Sequence, residues 1–178
     1  MNFYSRYLQV IADKIKDIDV SLLGKASAFV NQARQRKAKV IIAGNGGSAA
    51  IASHVAVDLT KTIGVRAVNF NEADLLTCLA NDFGYEHWVA KALEFYADKG
   101  DLVILVSSSG RSANMINGAA MARRMGLPLM TFSGFYPDNP LRRVGDINFW
   151  VDSRDYNTVE MTHHIWLLAI ADKLAGKE

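Results

Sequence analysis

Residues 39–58, KVIIAGNGGSAAIASHVAVD, constrain the fold more than any other stretch of the chain. Val40-Ile41-Ile42-Ala43 is a short, continuously apolar run, as expected of a strand buried on both faces of a parallel sheet. It breaks at Gly44-Asn45-Gly46-Gly47-Ser48 and resumes at Ala49 with small residues that suit a helix. A strand, a glycine turn and a helix start together make an anion site. Glycine tolerates the required dihedrals and close approach, and the first helical turn leaves its N–H groups unbonded. Ser48 is expected to act as the N-cap. A tight strand-to-helix connection with no ligand would use the same residues. The turn matches neither G-x-G-x-x-G nor G-x-x-x-x-G-K-[ST], the two standard nucleotide fingerprints.

The rest of the chain repeats this alternation. Phe3, Tyr7, Ile11 and Ile15 recur at i+4 and predict an amphipathic helix over 2–17. A second helix is expected over 20–36, capped by Asp19 or Ser21, with the basic run at 34–37 as its solvated end. Residues 65–70 read as a short strand and 71–80 as a helix. Asn81-Asp82-Phe83-Gly84-Tyr85 reads as a turn, and 86–99 as a helix. Leu102–Val106 is a second buried strand, followed by Ser107-Ser108-Ser109-Gly110-Arg111-Ser112 and a helix over 113–125. Strands at 129–133 and 147–151 and a terminal helix over 158–175 complete the pattern. Such alternation predicts an α/β fold: one doubly wound parallel sheet with helices on both faces and an N-terminal helical extension. With no linker or low-complexity segment, residues 1–178 are expected to form one domain.

Composition narrows the partners. Twenty basic and eighteen acidic residues leave a formal charge of +2, which by itself points to neither nucleic acid nor membrane. The N-terminus has no signal-peptide core and no stretch is long and apolar enough to span a bilayer, so a cytoplasmic location is expected. The single cysteine, Cys78, lies in an apolar run and is expected to be a buried structural thiol.

Two polar strand ends are the places for chemistry. In open parallel sheets, ligands bind beyond the carboxyl ends of strands where the winding reverses. The glycine turn at 44–48 and the serine loop at 107–112 supply hydroxyls and amides there, a set that suits a phosphate dianion without a lysine clamp. Read alone, the serine loop is equally a helix-capping loop. His54 and Asp58 lie four apart on the first of these helices. Glu160 and His164 lie four apart on the terminal helix, with His163 beside them. A carboxylate and an imidazole from each helix would make either a proton-transfer site or a divalent-metal site built from His54, Asp58, Glu160 and His164; ordinary ion pairs and satisfied histidines are the plain alternative.

GNGGSAA, SSSGRSAN and the intervening ANDFG resemble the sugar isomerase (SIS) domain family, and within it the sedoheptulose 7-phosphate, or phosphoheptose, isomerases. The resemblance runs along nearly the whole chain. It implies that Ser107, Ser108, Ser109 and Ser112 hold a sugar phosphate, that Asn45, Gly46 and Ser48 contact the sugar chain, and that Asp82 touches its hydroxyls. It implies an aldose–ketose isomerisation in heptose synthesis for surface polysaccharide; among the residues present, Asp58 or Glu160 would be the base and His163 or His164 the acid. It further implies zinc on His54 and a homo-oligomer, a tetramer joined through N-terminal helices. The chain departs from that pattern in two places. Asp58 stands where the isomerases carry a glutamate, a shortening that would move a base by about 1 Å. Their terminal-helix histidine, eight residues after a glutamine, falls on Leu168 if Glu160 matches the glutamine, or on Leu167 if Val159 does. The departure leaves a second expectation open: a non-catalytic phosphosugar-binding or adaptor protein, such as those that bind the replication initiator.

Overall fold

The computed structural model describes residues 1–177. Five strands form one parallel sheet: β1 (Val40–Gly44), β2 (Ala67–Val68), β3 (Leu102–Ser107), β4 (Leu129–Ser133) and β5 (Ile147–Trp150). Their order is β2-β1-β3-β4-β5, so the winding reverses between β1 and β3. Those two strands pair in register, from Val40 opposite Leu102 to Gly44 opposite Val106. The expected doubly wound sheet is therefore present.

The strands are continuously apolar because both faces are covered. Val40, Ile42, Leu102, Ile104, Met130 and Phe132 pack with α2 (Val20–Gln35), α3 (Gly47–Ile63) and α7 (Tyr156–Leu174). The alternate residues Ile41, Ala43, Val103, Leu105 and Leu129 pack with α4 (Ala73–Phe83), α5 (Trp88–Tyr96) and α6 (Ala113–Arg124). This two-residue alternation between cores follows from the strand pleat. Helix α1 (Phe3–Lys16) stands apart and has no buried residue. The Trp166 indole N–H ties it down by donating to the Ile15 carbonyl at 2.9 Å.

Several expectations shift. Asp19, not Ser21, caps α2, accepting from the Ser21 amide at 2.9 Å. The 65–70 strand shrinks to two residues at the sheet edge. Helix α4 runs on to Phe83, so Asn81 and Asp82 lie in its last turn and Gly84 ends it at φ 86°. The next helix begins with a 3₁₀ turn over Tyr85–His87 and stops at Tyr96. Cys78 is exposed, not buried, because it faces out from α4 while Leu79 faces in.

One buried carboxylate escaped the sequence reading. Asp101 is wholly buried at the start of β3 and accepts from the Lys39 amide at 2.7 Å and the Asp98 amide at 2.8 Å. The Lys39 ammonium sits 2.8 Å from the same carboxylate oxygen that the Asp98 amide reaches. The cluster ties the beginnings of β1 and β3 together, below the end that carries the polar loops. Asp101→Ala leaves two amides without their acceptor while Lys39 keeps Asp98 at 2.5 Å, and the expected loss is about 1–3 kcal/mol per stranded amide in urea denaturation.

Candidate active site

The site is set by where β1 and β3 end. Beyond Gly44, Gly46 takes φ 54° with ψ −122°, a combination natural only to glycine, and serves as the N-cap of α3. Ser48 is therefore not the cap; it lies inside the first turn of α3, buried, with its amide donating to the Asn45 carbonyl. Beyond Ser107, the serine loop turns and Ser112 caps α6 without a side-chain bond to that helix. Two helix N-termini lacking side-chain caps thus face one another across the strand ends, each presenting partial positive charge.

Between them lies a cavity of about 250 Å³ lined by Asn45, Gly46, Gly47, Ser48, Ser107, Ser108, Ser109, Ser112, Tyr156 and Glu160. Seven of the eight residues that the resemblance assigned to substrate line it. The exception is Asp82, on the exposed side of α4, where it accepts from Asn81 at 2.9 Å. Larger cavities exist, one of about 490 Å³ between α5 and α6, but none of them collects hydroxyls at two helix starts. The hydroxyls here are only weakly engaged, Ser107 with Ser112 at 3.4 Å and Ser108 with Glu160 at 3.4 Å. Three residues missed at first also belong here. Asn114, inside the SSSGRSAN motif, exchanges amide hydrogen bonds with Asn45 at 2.8 and 3.0 Å. Tyr85 donates to the same Asn45 oxygen at 3.1 Å, and Tyr156 lines the cavity wall.

The acid–base candidates follow the seam between α3 and α7. Glu160 reaches the cavity itself: a Cβ on Gly47 would come within 2.1 Å of its carboxylate, so only a glycine leaves it room. Burial raises its pKa, opposed by the Ser108 hydrogen bond. One turn further along α7, His164 meets His54 of α3, with Nε2 and Nδ1 2.8 Å apart. Asp58 lies 3.6 Å from His54 Nε2. The pKa of His164 is lowered by burial and by the neighbouring His54, against a smaller pull from Asp58.

His163 does not join them. It is completely buried, edge-on to Phe132 with centroids 5.7 Å apart, and its Nε2 donates to the Ser133 carbonyl at 3.0 Å. It is a core histidine, because the one-residue step from His164 turns it by about 100° into the sheet. Leu167 is likewise buried in that core. The four-residue metal set does not assemble either. Two imidazoles on one tetrahedral zinc need their nitrogens roughly 3.3 Å apart and aimed at the metal. Here they are hydrogen-bonded to each other, while Glu160 lies against Gly47 and Ser108. No group of three or more His, Cys, Asp or Glu side chains fit to hold a metal exists among the described residues.

His163 gives a pH signature. Burial lowers its pKa from 6.5 to about 4, against the opposing hydrogen bond to Ser133. The unfolded chain takes up this proton near 6.5 and the folded chain resists it down to about 4. The contribution to stability is thus complete above 6.5 and lost as pH falls between those values. Urea midpoints should fall through this window. In His163→Phe, which cannot titrate, the fall should be shallower.

Comparison with known proteins agrees with this geometry. The SIS-domain family model matches residues 3–134. A phosphoheptose isomerase of Mycobacterium tuberculosis is 30% identical over 177 residues, covering 93% of this chain and 89% of its own. One from Aliarcobacter butzleri is 33% identical over 147 residues, covering 79% and 77%. The solved phosphoheptose isomerase of Neisseria gonorrhoeae superposes with a TM-score of 0.87 at 23% identity, over 97% of this chain and 96% of that one. With a family match over most of its length and relatives aligned almost end to end, the chain belongs to the SIS-domain family.

Proposed function

We propose that residues 1–178 act as one SIS domain that interconverts sedoheptulose 7-phosphate and an aldoheptose 7-phosphate, in the synthesis of heptose precursors for surface polysaccharide. The observation that carries this reading is the cradle itself. Serine hydroxyls and two helix N-termini surround a cavity that also contains a carboxylate of raised pKa, Glu160. The relatives aligned along the chain are phosphoheptose isomerases.

The substrate phosphate sits among Ser107, Ser108, Ser109 and Ser112, and the sugar chain extends past Asn45, Gly46 and Ser48. The isomerisation takes a proton from C1 of the ketose, passes through an enediol, and returns a proton to C2. Glu160 is the base: its burial makes the carboxylate more basic, as a proton acceptor working near neutral pH requires. His164, whose bond to His54 joins α7 to α3, supplies or holds the second proton at the enediol oxygens. Asp58 orients His54. Every step runs through the chain's own groups.

Two further features belong to this reading. Helix α1 exposes Phe3, Tyr4 and Leu8 at 72%, 74% and 66%, an unpaired apolar surface that suits packing against other copies in a homotetramer. The substrate is a phosphorylated intermediate of biosynthesis, which supports a cytoplasmic location. No helix among the described residues is long and apolar enough to cross a membrane. A second reading, a phosphosugar-binding adaptor, is favoured by one observation: Leu167 and Leu168 occupy both positions where the isomerases' histidine could fall.

Turnover decides between them. The unaltered protein should isomerise sedoheptulose 7-phosphate. Glu160→Gln and His164→Ala should each lower kcat at least about tenfold, the range of general acid–base contributions, with affinity retained. Ser109→Asp should abolish binding in calorimetry by setting a carboxylate against the phosphate. Tight binding without turnover in the unaltered protein would favour the adaptor.

A further inference from the structure

The cradle lacks something a phosphate dianion ordinarily finds. None of its ten lining residues is a lysine or arginine, and one is a carboxylate. Two arginines flank its lining residues in the sequence. Arg111 lies in the serine loop between Ser109 and Ser112, and Arg154 lies two residues before Tyr156. Both guanidinium groups stack on one ring, that of Tyr136, with carbons 4.5 Å and 4.3 Å from its centroid. The adjacent Phe135 packs edge-on against Tyr156 at 4.9 Å, and its amide donates to the Ser153 carbonyl at 2.8 Å. The aromatic pair therefore ties the two arginine-bearing loops to the cavity wall.

From this arrangement we propose that Arg111 and Arg154, held on Tyr136, form a cationic rim that supplies the missing positive charge and selects the dianionic phosphate ester over neutral sugar. A tyrosine face attracts a guanidinium through its quadrupole. Holding two on the same ring keeps like charges together that would otherwise separate. Little nearby charge cancels them. Arg111 has one long ion pair, to Asp138 at 3.5 Å, and Arg154 has none among the described residues. Asp155 is turned toward its own helix, accepting from the Thr158 amide at 2.8 Å. Both arginines are exposed, so their pull acts through solvent and is screened by salt. The cradle hydroxyls and helix ends then hold the phosphate at short range, which is far less sensitive to salt.

The proposal rests on the sugar-phosphate reading, and its test separates the two. Calorimetric titration with sedoheptulose 7-phosphate at about 20 mM and about 0.5 M salt shrinks the Debye length from roughly 20 Å to roughly 4 Å. The unaltered protein should bind about tenfold more weakly at high salt. The Arg111→Gln/Arg154→Gln double variant should bind about tenfold more weakly than the unaltered protein at low salt and show little further loss at high salt. Tyr136→Leu, which frees both side chains without changing charge, should give an intermediate low-salt affinity, and Tyr136→Phe should match the unaltered protein. A double variant with unchanged affinity and unchanged salt dependence would overturn the rim while leaving the cradle intact. No binding by the unaltered protein under either condition would overturn the cradle reading, and the rim with it.

Discussion

The site depends on one hydrogen-bonded ladder, that between β1 and β3. Its register sets Gly44 opposite Val106, so the two chains leave the sheet side by side and at the same height. Only then can the turn at Asn45–Ser48 and the loop at Ser107–Ser112 wall the same cavity. A slip of one residue would turn every apolar side chain to the wrong face. The register is fixed at the far end by Asp101, which grips the backbone and the ammonium of Lys39 from the start of the neighbouring strand.

Above that ladder the chemistry divides by distance. Closest in are uncharged donors and two helix starts, which recognise an anion by geometry at little desolvation cost. Glu160 comes next, its carboxylate against Gly47 and within reach of the Ser108 hydroxyl at the cavity wall. The His54–His164 pair and Asp58 follow along the α3–α7 seam. Glu160 and His164 share a face of α7 by their four-residue spacing, and α3 brings His54 against that face. This polar seam is carried by helices whose other faces are sealed into the core by Val55, Leu59, Val159 and Trp166.

Much of this was legible in the sequence. Buried parallel strands read as unbroken apolar runs, and glycine and serine mark the turns that follow them, so the sheet and the cradle could be written down before any coordinates. The i+4 spacing placed Glu160 with His164 and His54 with Asp58. What local pattern does not encode is which way a side chain faces once its helix has docked. His163 looked equivalent to His164 and proved to be a core residue under Phe132. Cys78 looked buried and is exposed. Asp82 seemed to sit in a turn, but α4 keeps its helical bonds three residues further and carries it away from the cavity. Asn114 and Tyr85 act through pairing with Asn45 across the chain, a partnership that no spacing rule reveals.

Proton transfer at a phosphate-anchored sugar leaves a solvent-isotope signature that reports on it directly. With sedoheptulose 7-phosphate in deuterated water, held until the two isomers have interconverted many times, the proton carried by Glu160 exchanges with solvent between abstraction and return, so deuterium accumulates at C2 of the aldose, visible as loss of the corresponding proton signal by nuclear magnetic resonance. C2 still carrying only protium after many interconversions would point to direct hydride transfer from C1 and contradict the enediol, and complete absence of product would contradict isomerisation altogether.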